Sequence, residues 1–221
     1  MAWDMGTKDD GSDSCARMVA PKSHWPEMRA LILVASAAQK DVSSTAGMQE
    51  TVKTSTLFTA RVEEVPKRMS EMEKAIQERN FDAFARITMR ESNSFHATCL
   101  DTDPPIQYMN DVSAAAIKAV RLINQQAGKV VAAYTFDAGP NCVIYYLEKN
   151  WPILCEKLAS ALDGKEGWVA RGNSHGFGTD YAHIESTLNR GVSRLIMTSV
   201  GEGPISVQDH LIDEHGKPVI A

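Results

Sequence analysis

An α+β fold, with an antiparallel sheet lying against helices, is what this sequence predicts. Three observations carry the prediction. Two apolar, β-branched and aromatic runs, Val130–Phe136 (VVAAYTF) and Val143–Leu147 (VIYYL), are joined by the tight turn Asp137–Asn141 (DAGPN), which is the pattern of a hairpin. A continuous apolar run, Met28–Ser36 (MRALILVAS), is bounded by polar residues and has the length of a buried strand. Long stretches with apolar residues at helical spacing separate these runs, without the regular strand–helix alternation of a doubly wound parallel sheet.

In chain order, Met1–Cys15 (MAWDMGTKDDGSDSC) is rich in Gly, Asp and Ser and reads as a loop. An opening at Trp3, with no preceding element to pack on, reads as a chain cut from something longer. After the first strand, Lys40–Gly47 (KDVSSTAG) is turn chemistry, and Ser43, Ser44 and Thr45 are N-cap candidates for a helix that runs over Met48–Leu57. From Phe58 to Arg79, Val62, Val65, Met69, Met72 and Ile76 recur at helical spacing as core-packing positions, and Pro66 predicts a kink or break among them. Asn80 and Asp82 flank a new helix start, with Phe81, Phe84, Ile87 and Met89 carrying it past Asn93. Thr102–Pro105 (TDPP) stops that helix. Asn110–Gln126 reads as a helix with Val112, Ile117, Val120 and Ile123 inward and Gly128 as its C-terminal signal. Trp151–Leu162 fits a helix, Asp163–Thr179, with five glycines, a loop, and Arg194–Val200 a last strand.

Composition narrows the function classes. With 43% hydrophobic and 23% charged residues over 221 positions, the chain can bury a core. No apolar run approaches the roughly 18 residues that span a bilayer, and Met1–Ala20 lacks a basic-then-apolar leader, which points to a cytoplasmic protein. A formal net charge of −5 argues against a nucleic-acid partner; it leaves room for a phosphorylated small molecule, because a few cations focused in one cleft can hold a polyanion. The four cysteines, Cys15, Cys99, Cys142 and Cys155, form no Cys-x-x-Cys pair and the histidines no zinc spacing, so free buried thiols and no metal ligands are expected.

Four segments could carry chemistry. Asp137 closes an apolar strand where a carboxylate is partly desolvated yet reachable at a sheet edge, and Gly139 permits close approach or positive φ. The same spacing fits an Asx turn, in which the Asp137 side chain bonds a backbone N–H two residues on. Lys40, Ser43 and Ser44 at a helix entrance make a phosphate cradle of hydroxyls, backbone N–H groups and one full charge, or else plain N-capping. Arg90–Asp101 (RESNSFHATCLD) brings His96 to a helix end, as a cleft residue or a satisfied structural one. Gly172–Gly178 (GNSHGFG) lacks the Walker lysine and reads as a plain loop.

Taken together, KDVSSTAGMQETVKTS, SNSFHATCLDTDPP, QYMND and AYTFDAGPN resemble, in order and spacing, the mevalonate diphosphate decarboxylase family of the GHMP kinase superfamily. The opening AWDMGTKDDGSDS resembles the segment after that family's catalytic arginine motif, and LIMTSVGEGP followed by LID resembles its final strand and tail. The likeness covers Met1–Asn150 and resumes near Arg194. It implies a C-terminal GHMP-type domain over residues 28–221, with residues 1–27 linking from an N-terminal lobe that these residues do not include. It implies a two-lobed, homodimeric enzyme of isoprenoid and sterol biosynthesis that uses Mg-ATP to phosphorylate the 3-hydroxyl of mevalonate 5-diphosphate. Loss of phosphate and carbon dioxide then gives isopentenyl diphosphate. It makes Asp137 the catalytic aspartate and places Ser43 and Ser44 beside the substrate's diphosphate or carboxylate. Lys40 becomes an electrostatic helper, Met48 a contact to the carbon skeleton, and Asn93, His96 and Thr98 support for the cleft. The family's ATP-cradling Gly/Ser-rich loop, substrate lysine and carboxylate-holding arginine belong to the N-terminal lobe. Two rival readings are a non-catalytic dimerisation or regulatory module and a different GHMP small-molecule kinase; the Ser43–Met48 motif speaks against the latter.

Overall fold

The computed structural model of the chain describes residues 1–35, 43–169, 175–204, 206–208 and 210–219. Its centre is a four-stranded antiparallel sheet. The strands are β3 (Met28–Ala35), β4 (Ala132–Thr135), β5 (Cys142–Leu147) and β6 (Val192–Ser199), in spatial order β4-β5-β3-β6. A separate two-stranded ribbon, β1 (Ala2–Asp4) with β2 (Cys15–Arg17), precedes it. The helices are α1 (Ser44–Thr54), α2 (Thr56–Gln77), α3 (Phe81–Leu100), α4 (Asp111–Gln126), α5 (Trp151–Leu162) and α6 (Ala182–Gly191).

Side-chain alternation sorts the sheet into two faces. Leu31 pairs with Ile144 and Met197, and Leu33 with Cys142 and Leu195. These residues share one face with Ala132 and Tyr134, and that face packs on Val120 and Ile123 of α4, Leu154, Leu158 and Leu162 of α5, and Ile184 and Leu188 of α6. The opposite face, over β4 and β5, carries Met28, Ala133 and Tyr145 and is covered by Trp25, Phe81 and Phe84. Phe84 meets Tyr145 edge-on at 5.5 Å and Trp25 at 5.9 Å, so α3 is fastened to the hairpin by aromatic packing. Outside α3 lies α2, joined to it by Glu91, which accepts from Arg61 at 2.8 Å and from Arg68. The two arginines are two helical turns apart and so share a face.

Four expectations are corrected. Met1–Cys15 is not all loop: Trp3 and Asp4 pair with Ala16 and Cys15 in the ribbon, and Arg17 ties it to Asp4 at 2.7 Å and to Glu73 on α2. Pro66 does not break its helix. It lies inside the continuous α2, whose Arg61 and Arg68 ties stand on either side of it and hold the turn that loses a backbone hydrogen bond. The stripe of α2 is only partly covered, with Ala75 its one buried residue and Val62 47% exposed. Of the cysteines, Cys99 and Cys142 are buried, but Cys15 is exposed on the ribbon.

Candidate functional site

The β4–β5 turn projects Asp137 outward. Its residue is exposed, and no side-chain or backbone donor bonds its carboxylate among the described residues. The turn is not the Asx type: Gly139 N–H donates to the Asp137 main-chain carbonyl at 2.8 Å, which leaves the carboxylate free. Gly139 is buried and is not among the glycines with positive φ; here the absence of a side chain serves close packing.

Three elements fix this turn. From α3, Ser92 Oγ accepts the Phe136 N–H at 3.1 Å. From α4, Ser113 Oγ donates to the Pro140 carbonyl at 3.0 Å. Ser113 also completes a capping box with Asn110, so the start of α4 and the turn are set together. From the turn itself, Asn141 Oδ1 accepts the Ala35 N–H at 3.0 Å and pins the end of β3 beside the hairpin. An exposed acid on so constrained a backbone is preorganised for a role that depends on position.

Beside the turn, α1 begins. Ser43 is its N-cap and accepts the Ala46 N–H at 3.2 Å, so the capping reading describes its hydroxyl. Ser44 and Met48 are exposed. No acidic residue stands in the first turn of α1, so its positive end is unopposed. Ser44, Met48 and Ala138 wall one cavity of about 340 Å³, together with Val52, Phe58, Phe95 and Cys99. The structure therefore brings the residue next to Asp137 and two of the predicted binding residues to one cavity. Lys40 lies outside the described residues.

The placement of α1 depends on Gly47. Tyr108 Oη lies so close that a Cβ at position 47 would collide with it. Farther along, the buried Thr51 and Thr102 hydroxyls bond at 2.8 Å, and Thr102 donates on to the Thr98 carbonyl at 3.1 Å. At the junction of α1 and α2, Asp101 accepts from Leu57 N–H at 3.0 Å and Ser55 Oγ at 2.8 Å. Those bonds, the Leu57 N–H first, hold its carboxyl below the usual range.

Behind Asp137, His96 is 3% exposed. Burial lowers its pKa, against a smaller opposing pull from a Phe136 backbone hydrogen bond and the Asp137 charge. Its Nε2 has no partner, so the satisfied structural residue expected at position 96 is only half satisfied. Asn93 Oδ1 accepts from Tyr134 Oη at 3.1 Å, and Thr98 lines the cavity. Missed from sequence were Ser92, Ser113, Asn141 and Tyr108, none of which stands in a motif that announces a tie to the turn or to α1. The loop around Gly172–Gly178 is anchored where it is described: Phe177 is buried, and its N–H donates to Glu185 at 2.7 Å.

Comparison with known proteins was made on this basis. A family model described as the mevalonate 5-diphosphate decarboxylase C-terminal domain matches residues 30–207. The diphosphomevalonate decarboxylase of Gibberella zeae is 59% identical over 216 residues, covering 96% of this chain and 56% of the relative. A crystal structure of mevalonate 5-diphosphate decarboxylase superposes with a TM-score of 0.84 at 44% identity, covering 97% of this chain and 58% of that one. A more distant structure, MDDEF in complex with MVAPP, AMPPCP and magnesium, has a TM-score of 0.60 at 28% identity, covering 70% of this chain and 47% of that one. The chain thus spans just over half the length of the curated relatives it matches.

Proposed function

Since the chain belongs to the mevalonate 5-diphosphate decarboxylase family, we propose that it is the lobe of a two-lobed decarboxylase that presents Asp137 to the 3-hydroxyl of mevalonate 5-diphosphate. The carrying observation is the free Asp137 carboxylate on a fixed turn whose next residue walls the same cavity as Ser44 and Met48. A tertiary hydroxide leaves poorly. Asp137 accepts or orients the hydroxyl proton, so that the oxygen can be phosphorylated and depart as phosphate while carbon dioxide is lost. Ser44 and the unopposed start of α1 face the substrate's diphosphate or carboxylate, with Ser43 holding the cap. Lys40 adds charge to that end, and Met48 packs on the carbon skeleton. In the same reading, residues 1–27 are the segment leading in from the other lobe.

Mg-ATP supplies the phosphoryl group when bound. Among the described residues, no group of three histidine, cysteine or carboxylate side chains could hold a metal ion, and the sequence has no Walker-type loop. The residues present do not by themselves fit the nucleotide or its magnesium, and no step here is derived through them.

Exposed apolar residues between the ribbon and α2, Trp3 and Val62 among them, support a second reading as an interaction module. A homodimer is the assembly proposed, and the cytoplasm its place. No described helix is long and apolar enough to cross a membrane. Carbon dioxide release from mevalonate diphosphate and Mg-ATP separates the readings. Release when the purified chain is mixed with a separate N-terminal lobe, and not with either part alone, supports the split enzyme. No release in any combination favours the module.

A further inference from the structure

We infer that His96 is a positioning residue for Asp137: its Nδ1–H holds the Phe136 carbonyl, and with Ser92 it fixes the peptide from which the Asp137 carboxylate projects. This deepens the reading of Asp137 as the reacting acid and rests on it for its catalytic meaning. The geometry stands without it.

The ring is almost wholly buried and sits between two aromatic rings, 4.9 Å from Phe95 at 78° and 6.1 Å from Phe136 at 83°. It cannot rotate without clearing one of them. Its hydrogen bond goes to the Phe136 backbone. The Phe136 N–H is already given to Ser92 Oγ, so the ring's partner is the Phe136 carbonyl, which only accepts. Nε2 is without a partner, so Nδ1 makes the bond and carries the proton. Ser92 and His96 are one helical turn apart on α3, on one face. Between them they satisfy both main-chain polar groups of the residue before Asp137. Two residues earlier on β4, Tyr134 Oη bonds Asn93.

The bare Nε2 gives this arrangement its meaning. An acceptor stranded among aromatic rings is costly, and phenylalanine or leucine would fill the space without that cost. The imidazole is accounted for by its other nitrogen. Burial keeps the ring neutral, so its effect on Asp137 is directional rather than one of charge. A misplacement of the reacting acid by about 1 Å can lower a rate by roughly 100-fold.

The test uses the chain itself, ¹⁵N-labelled, and needs no turnover. Long-range ¹H–¹⁵N correlation of the ring at pH 7 should show Nδ1 protonated and Nε2 bare. A ring protonated at Nε2, or at both nitrogens, overturns the inference. His96→Asn places an amide N–H near Nδ1, and His96→Gln places it near Nε2. The Asp137 and Ala138 backbone amide resonances should return close to their wild-type positions in Asn and stay displaced in Gln; equal displacement in both also overturns it. In the mixed-lobe reaction, kcat should fall roughly 100-fold for Gln with KM little changed, and recover largely for Asn. If the resonances follow this pattern while Asp137→Ala leaves turnover intact, positioning stands and it is the catalytic reading of Asp137 that fails.

Discussion

Glu91→Gln should destabilise the chain far more than any exposed ion-pair change. Glu91 alone bridges α2 to α3, accepting from Arg61 at 2.8 Å and from Arg68. The side chains of Arg61, Arg68 and Glu91 are only 20%, 12% and 26% exposed. Arg61 Nη1 and Arg68 Nε already lack partners, so neither guanidinium has a ready substitute. Two charge-assisted bonds at about 1.5–3 kcal/mol each set the upper scale. The remaining exposure of the carboxylate and the acceptor that glutamine keeps reduce this to about 2–4 kcal/mol. For a domain of this size that is a drop in Tm of roughly 5–15 °C. Asp82→Asn is the internal control. Its partner Arg86 lies four residues on, with the two side chains 56% and 67% exposed, and the change should cost about 0.5 kcal/mol or less. Urea unfolding followed by circular dichroism gives both values, with m unchanged. A Glu91→Gln cost no greater than that of Asp82→Asn would refute the reasoning that α2 is held by this network rather than by its thin apolar stripe.

Gly47→Ala should displace α1 from Tyr108 and cost about 1–3 kcal/mol by overpacking; Gly47→Ala combined with Tyr108→Phe should recover most of it, as a double-mutant cycle in urea would show. The buried His96 has a lowered pKa, so the unfolded chain takes up its proton first. Stability should therefore be full above about pH 6.5 and decline as pH falls below it, and His96→Phe should flatten that slope in pH-dependent unfolding. A thiol reagent should reach Cys15 first, since it is exposed, and Cys142 only with global unfolding, since complete burial pushes its pKa far up.

The strands were readable because their apolar runs are short, β-branched and bounded by turn residues. Met28–Ala35 and Cys142–Leu147 fall within a residue of expectation at each end. Helix α6 was passed over because Ile184 and Leu188 are its only buried residues and no side chain caps its start. The ribbon was missed because pairing across eleven intervening polar and glycine residues leaves no alternation to read. At the site, the acid was visible because it closes a strand at a distinctive turn. What fixes it was not: Ser92, Ser113 and Asn141 reach their partners across 44, 27 and 106 residues, distances at which only tertiary structure can reveal a hydrogen bond. The stranded Nε2 of His96 is likewise a property of its cage, not of the SNSFHATC motif.

The central claim is that the Asp137 carboxylate is the group that engages the substrate hydroxyl. The most direct test is the single-turnover rate of carbon dioxide release from mevalonate diphosphate by the chain paired with its N-terminal lobe, wild type against Asp137→Asn. The account predicts a fall of roughly 10²–10⁴-fold with an unchanged unfolding midpoint, because the carboxylate makes no hydrogen bond among the described residues. A rate within a few-fold of wild type from a folded variant would contradict it.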